Sequence, residues 1–515
     1  MKSPFLSPLR GLLGIAVIAS ALVALPASPA VAADTNCPPP ASGFSGGSGT
    51  QLDPYVIDDS AALQLLKVDS NTYDDSSFVQ TADIDMSSGG NPCVWDSGIG
   101  PGGFSGTYDG GSYVISNLSI STADTDLGLF QTLSGTITDL GFSGSVTNTR
   151  IGVGPHTGGL VGTVQGGIVT NSYFTGNVQS PNDGDSTGGL AGRIYNDGTV
   201  SNSYSTGTVT AIGKNVGGLI GSVLVDTLGN SVSVTTSFST SVVSASSATD
   251  VGGLIGSTTA VSTAVEVNIQ DSYATGAVTG DENVGGLIGH VTNTGNQFTN
   301  TYSTGLVSGQ TLPGALIGRF AGSTAAQASF WNPVTSGQTR GAGTGLTEKT
   351  PAEMQSFATY DDSGWSITDG YDAGTTWGIC STFNNGYPFL TATQSVNPCA
   401  SAPLSPTLNS VTGGDSSLTL TWTLGSDGGS PITDVEYSTD DSVTWRSVDD
   451  SNATTDTITL DSSGTALVNG TTYQVRVRAV NSIGNGAVSN MLTGTPTDST
   501  PPAPPVTFPP GPPLN

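Results

Sequence analysis

Positive charge is scarce in this chain of 515 residues: 12 Lys+Arg stand against 40 Asp+Glu, a formal net charge of −28. Such a surface repels nucleic acid and anionic membrane, so neither is an expected partner, and charge alone favours only cations or basic groups. Histidine is scarcer still, at 2 residues, His156 and His290. No His-Glu-x-x-His is present, so the metalloprotease spacing is missing; the two histidines lie in unrelated stretches, so no serine or cysteine triad is expected, nor a cofactor or metal. Beyond the N-terminus no apolar run approaches the roughly 18 residues of a membrane helix. Cysteine is limited to 4 residues. In an oxidising compartment these would pair, and of the three possible connectivities proximity favours Cys37 with Cys93 and Cys380 with Cys399.

What is present begins with an export signal. Lys2 and Arg10 precede the apolar run GLLGIAVIASALVAL, and small residues in ASPAVAADT offer cleavage near Ala32 or Ala33. Residues 1–33 are therefore expected to be a signal peptide on a protein that is secreted, extracellular or associated with the cell envelope.

Glycine is abundant, at 72 residues, and much of it recurs in one phrase. GGLVG, GGLAG and GGLIG begin at Gly158, Gly188, Gly217, Gly252 and Gly285, flanked by LGLF from Leu127 and PGALIG from Pro313. A period of roughly 30 residues is that of a supersecondary unit, not of a single phosphate-binding loop. Each unit carries a second phrase, NSYFTGNV, NSYSTGTV, TSFSTSVV, DSYATGAV or NTYSTGLV, with a fixed step from aromatic to valine: Tyr173 to Val178, Tyr204 to Val209, Phe238 to Val243, Tyr273 to Val278, Tyr302 to Val307. Fixed phrases joined by elastic spacers read as packed strands joined by surface loops. Glycine and β-branched residues disfavour helix, so each unit is expected to form short strands and turns, one coil of a β-solenoid. Leu160, Leu190, Leu219, Leu254, Leu287 and Leu316 should stack inside, the Tyr/Phe and Val rows should supply other walls, and the glycines should give positive φ and close approach at the corners.

These phrases resemble the GLUG repeat of bacterial secreted and surface proteins. The leader segments GSGTQLDPYVIDDSAALQLL and FSGTYDGGSYVISNLSI, and the exit SFWNPVTSGQTRGAGTGLTEKTPAEMQSF, are similar to what surrounds such repeats. The resemblance implies a right-handed β-helix-like solenoid used as scaffold or adhesive surface and does not itself imply an activity; the copies number about seven coils, and a non-enzymatic protein is expected. The third copy, TSFSTSVV, lacks the Asn and the Gly, so an irregular corner is expected there. Short helices should close the ends, one capped by Asp59 or Ser60, the other by a capping box at Thr350-Pro351-Ala352-Glu353.

From about residue 402 the pattern alternates. Leu418, Leu420 and Trp422 share one strand face; Tyr473, Val475, Val477 and Ala479 share another, opposite Gln474, Arg476 and Arg478. The stretch LVNGTTYQVRVRAVNSIGNGAVSN resembles the closing half of a fibronectin type III domain, which implies a β-sandwich with Tyr473 as its tyrosine corner. Arg476 and Arg478 read as the solvated face of a strand. The last segment, rich in proline, is expected to be an extended spacer.

The organisation expected is a signal peptide over 1–33, a leader and cap over 34–100, the solenoid over 101–335, a C-terminal cap over 336–401, a fibronectin type III domain over 402–497 and a Pro-rich tail over 498–515. Candidate carboxylates for polysaccharide chemistry are Asp183, Asp185, Asp250, Asp281 and Glu282, each in a turn near a Gly-Gly phrase, where Asp is a routine turn former. NDGDS and TDGYDAG lack the full ligand spacing of a calcium loop. One threonine recurs in every unit, Thr175, Thr206, Thr240, Thr275 and Thr304, and would form a ladder able to lie against a polysaccharide or ice. The function expected is adhesion to an extracellular surface, glycan or protein, with an accessory role in a carbohydrate-active system or ice binding as alternatives.

Overall fold

A computed structural model describes residues 34–498 except 153, 183, 262–265, 293–295, 312, 322–325 and 451–452. The signal expected over 1–33, Asp183 and the tail beyond residue 498 lie outside the described residues.

The protein is all-β, with a β-solenoid of about eight turns and a C-terminal sandwich of fibronectin type III kind. Each coil opens with a short strand that ends on the first glycine of its phrase. His156–Gly158, Ser186–Gly188, Lys214–Gly217, Thr249–Gly252 and Glu282–Gly285 stack in parallel, glycine over glycine. The chain then turns at the leucine, whose backbone N–H donates to the leucine carbonyl of the next coil: Leu160 to Leu190, Leu190 to Leu219, Leu219 to Leu254. All six leucines of the row are buried. The second side is built by strands such as Val161–Gln165, Ala191–Tyr195 and Ile220–Val225, in parallel register. The third follows with Ile168–Thr170 and Thr199–Ser201, and a sharp corner leads to the fourth, Tyr173–Ser180 and Tyr204–Ala211.

The glycines act by close approach and not by positive φ, contrary to part of the expectation. A Cβ on Gly158, Gly188, Gly217, Gly252 or Gly285 would lie 1.9–2.2 Å from the carbonyl oxygen three residues onward. The left-handed conformation falls instead to the first residue of the second phrase, Asn171, Asn202, Thr236, Asp271 and Asn300, at φ of 46–54°. Asn and Asp tolerate that region, while the β-branched Thr236 is the outlier of the row.

The leader is not set apart from the repeats. Its strands Tyr55–Ile57 and Ser77–Gln80 are parallel rungs of the third side that continue through Thr107–Asp109 into Thr136–Thr138, which accounts for a count above the seven coils expected. The helix Ser60–Val68 is capped by Asp59, whose carboxylate accepts from the Ala62 N–H, and its Leu63 and Leu66 join the solenoid core.

The aromatic row does not line the interior. The residue after each aromatic points inward, Phe174, Ser205, Ser239, Ala274 and Ser303, all buried. The rings stack outside the coil, Tyr173 on Tyr204 on Phe238 on Tyr273 on Tyr302, with centroids 4.8–4.9 Å apart and planes within 9°. The valine row divides: Val178 belongs to the main core, while Val209, Val243, Val278 and Val307 form a small separate core with Val216, Val251 and Val284.

An apolar row on a flank needs a cover, and the C-terminal segment supplies it. The solenoid ends on rungs Ser329–Trp331 and Leu346–Glu348. Beyond them the chain leaves the end of the stack and lies along its side. Met354, Tyr360, Trp365, Trp377 and Tyr387 form one core with Phe238, Tyr273, Tyr302 and Phe330. Pro351–Met354 carries the expected capping box between Thr350 and Glu353. Trp377 Nε1 donates to Asp271 Oδ1 at 2.9 Å, and the Tyr302 hydroxyl donates to the Pro388 carbonyl at 2.6 Å. The disulfides are Cys37–Cys93 and Cys380–Cys399, as proximity suggested.

In the sandwich, Thr407–Gly414, Ser417–Thr423 and Thr455–Ile458 form one sheet and Ile432–Ser438 with Tyr473–Asn481 the centre of the other. Leu418, Leu420, Trp422, Val475 and Val477 meet in its core. The Tyr473 hydroxyl accepts from the Val468 N–H at 3.0 Å.

Candidate functional site

The fourth side of the solenoid presents long neutral strands on an acidic molecule. Its strands Val114–Thr122, Gly141–Asn148, Tyr173–Ser180 and Tyr204–Ala211 contain no Asp, Glu, Lys or Arg. Alternation turns every second side chain outward, and parallel register sets these into columns. Ser143, Thr175 and Thr206 form one; Ser119, Ser145, Asn177 and Thr208 a second; Ser121, Thr147, Gln179 and Thr210 a third. Along the columns the hydroxyls are linked, Ser145 to Ser119 at 2.8 Å, Thr206 to Thr175 at 3.2 Å and Thr208 to Asn177 at 2.6 Å. Rung spacing of about 4.8 Å and a step of roughly 6.7 Å along each strand give a flat grid of neutral donors and acceptors.

Between the first two columns run Gly144, Gly176 and Gly207. A Cβ on Gly176 or Gly207 would lie 1.9–2.0 Å from the carbonyl oxygen of the glycine one coil before. The column is therefore bare backbone, a shallow trough. At its N-terminal end Pro92, Asn117 and Leu118 border a depression of about 330 Å³ floored by Gly144 and Gly176.

The threonine ladder is regular only at its start. Thr175 and Thr206 are register partners, but the strand breaks at this position from the third coil onward, into Phe238–Ser239 and Val242–Ser244. The cause is the departure noticed in the sequence. Gly176 and Gly207 hold φ of 149° and 115°, which a serine does not adopt, so Ser241 turns inward and is buried. Gly276 and Gly305 stack on that path: a Cβ on Gly276 would lie 1.9 Å from the Ser241 carbonyl oxygen. Thr240, Thr275 and Thr304 are half-buried in the break, and their backbone N–H groups donate to Ser205, Ser239 and Ala274. The second column also changes character there, passing through Val242 and Ala277 to Leu306.

Of the carboxylates singled out in the sequence, Asp250 and Glu282 stand on neighbouring rungs, where Thr249 and Glu282 are register partners. Asp250 Oδ1 accepts from Asn283 at 2.7 Å and faces His290 Nδ1 at 3.3 Å. Asp281 takes part through its backbone carbonyl, which accepts from Gln310 and Thr311, while the Asp185 carbonyl accepts from Asn215. The other histidine, His156, contacts Asp126 at 2.8 Å. Burial raises the Asp126 pKa, but hydrogen bonds from His156 and Thr163 outweigh it and hold the carboxyl below its ordinary value. Among the described residues no group of three or more His, Cys, Asp or Glu is placed to hold a metal ion. On the sandwich, Arg476 pairs with Asp441 and Arg478 with Glu436, and Arg478 also lies over the Trp445 ring at 4.2 Å. Both arginines are thus engaged within their own domain.

Comparison with known proteins matches the GLUG motif at residues 154–179 and 183–210 and the fibronectin type III domain at 401–495. A stretch of 189 residues, 34% of the chain, is 34% identical to halomucin of Haloquadratum walsbyi (strain DSM 16790 / HBSQ001), of whose length it spans 2%. Among solved structures, the titin domains A168–A170 are 33% identical over 19% of this chain and 32% of that one, at a TM-score of 0.15. A human FNIII domain is 26% identical over 20% of this chain and 88% of that one, at a TM-score of 0.16. Among the described residues no helix is long and apolar enough to cross a membrane.

Proposed function

With GLUG motifs in its solenoid and a fibronectin type III domain behind it, we propose that this protein is an extracellular, non-enzymatic binding scaffold that lies against an uncharged, hydroxyl-rich polymer such as a polysaccharide. The observation that supports this most is the neutrality of the fourth side. A chain with a net charge of −28 keeps every Asp, Glu, Lys, Arg and His off four neighbouring strands and fills outward positions along them with hydroxyls and amides. Hydroxyls and amides held on a rigid sheet can exchange water for the hydroxyls of a glycan with little loss of conformational freedom. Many such contacts act together along a polymer, so weak contacts sum by effective concentration.

Thr175 and Thr206 stand at the centre of the grid, with Asn177 and Thr208 beside them. The break at Ser241 argues against a long lattice match of the kind ice binding would require. It leaves the N-terminal half of the face as the polymer-binding half. Retention on immobilised neutral polysaccharides tests the reading. Thr206→Glu combined with Asn177→Glu adds two charges without touching the core, and retention should fall about tenfold or more while the melting temperature holds. Unchanged retention of the double variant on a surface that binds the parent would remove this face from the function.

A further inference from the structure

The stacked aromatic row is covered over only part of its length. The C-terminal segment packs over Phe238, Tyr273 and Tyr302, while Tyr173 and Tyr204 remain partly exposed. These two tyrosines floor a groove of about 440 Å³, walled on one side by the left-handed corner residues Asp139, Asn171 and Asn202 and on the other by residues 392–395. This groove is distinct from the hydroxyl grid and lies on the continuation of a surface that already holds peptide.

The covered half shows what that surface accepts. Tyr302 donates its hydroxyl to the Pro388 carbonyl, and Asn384 Nδ2 donates to the same hydroxyl at 2.9 Å. The partner is the stretch Asn384-Asn385-Gly386-Tyr387-Pro388-Phe389. Ring geometry narrows the ligand further. Tyr173 and Tyr204 are stacked at 4.8 Å with planes 4° apart, and Gly141 lies against the outer face of Tyr173, where a Cβ would be 2.6 Å from the ring. Both faces of each ring are occupied, so a sugar has no ring face on which to stack. What remains is a row of ring edges and hydroxyl donors. Burial is the main cause that raises the pKa of both, Tyr204 to about 12, so the hydroxyls stay protonated donors at neutral pH.

We propose that this groove binds a proline-rich peptide, and that its occupant is the chain's own segment 501–515, PPAPPVTFPPGPPLN. A proline-rich strand offers backbone carbonyls that no internal hydrogen bond uses, and apolar rings that pack on aromatic edges at little entropic cost. The segment has no charged side chain, so Asp139 does not oppose it, and it repeats the chemistry of Pro388 on Tyr302.

A fluorescein-labelled peptide of residues 501–515 and the chain ending at Asp498 test the proposal by fluorescence anisotropy. The peptide should bind, and Tyr173→Phe with Tyr204→Phe should weaken binding about fivefold or more by removing the two donors. Phe is accepted in this row, since Phe238 stacks between Tyr204 and Tyr273, so the double variant should fold. Tyr302→Phe, at the covered rung, should leave affinity unchanged. The full chain should bind the free peptide more weakly than the chain ending at Asp498, because its own segment competes. Absence of binding up to about 1 mM peptide, equal affinity of parent and double variant, or displacement of the bound peptide by a neutral oligosaccharide would each overturn it.

Discussion

A methyl group on Gly253 would sit 2.1 Å from the Gly286 carbonyl oxygen of the next coil and 3.0 Å from Ala274, so this position excludes every side chain. Gly253→Val should lower stability by more than about 2 kcal/mol through strain and lost inter-coil hydrogen bonding. Thr210→Val on the exposed face should change it by less than about 0.5 kcal/mol, and thermal denaturation compares the two. An acid-sensitive residue lies in the sandwich. Burial opposes ionisation of Asp440, but N–H groups of Thr444 and Val443 and hydroxyls of Thr444 and Ser438 outweigh it and bring its pKa from 3.8 to about 2. A depressed folded pKa stabilises above the unfolded value and ceases to do so as protons bind the folded state. The sandwich should therefore keep its melting temperature from pH 7 to about 5 and lose it between 3.8 and about 2, and in Asp440→Asn that part of the acid response should be absent. A parent and variant with the same acid profile in calorimetry would show that Asp440 is not its source.

At the scale of elements, the flank cover hangs on Trp377. Its Nε1 is bonded to Asp271, and its ring lies 4.6 Å from Trp365 and 5.8 Å from Tyr273. Trp377→Ala should cost the cover about 3–5 kcal/mol. Hydrogen exchange should accelerate across residues 351–393 while the amides of Leu254 and Leu287 stay protected; loss of protection in both would mean that cover and coils unfold as one unit. This element was only half legible in the sequence. The period of roughly 30 residues and the leucine row marked the coils correctly, because glycine and leucine meet the same steric demand in each. The aromatic row misled, since a large ring followed by serine reads as core followed by surface. Here serine is the inward residue: Ser205 donates to the Gly218 carbonyl and Ser303 to that of Ala315. A hydroxyl that satisfies a corner carbonyl can occupy the interior, and the ring is then left outside for the C-terminal segment to bury. The hydroxyl grid was legible as a threonine row, but its neighbouring columns depended on inter-coil register, which repeat spacing alone does not give.

For the whole molecule, the coil is the unit of change. Gly188 and Gly217 are register partners, so deletion of residues 188–216 brings Gly217 onto the place of Gly188 and restores every ladder. The shortened chain should fold cooperatively with an unchanged β-type circular dichroism per residue, and its retention on a polysaccharide should fall without vanishing, because one rung of the grid is gone. Deleting only residues 188–202 leaves mismatched rungs and should prevent folding. Complete loss of retention in the whole-coil deletion would point to one discrete site instead of a distributed face.

The lateral seat of the C-terminal segment also decides how the molecule would carry a pulling force. Strands stacked by hydrogen bonds along one axis peel most easily from a free end, one rung at a time. Tension on the sandwich does not enter there. The Ser401 N–H is bonded to Gly428 of the sandwich, and Cys399, two residues before it, is joined to Cys380, so the pull bypasses residues 381–398 and reaches the strand Trp377–Ile379. From that strand Trp377 passes it to Asp271, coils inward of the last rung, and the aromatic stack spreads it over Tyr273 and Tyr302. The terminal rung is shielded, and rupture requires shearing a buried tryptophan across several strands at once, a slower event than unzipping an exposed edge.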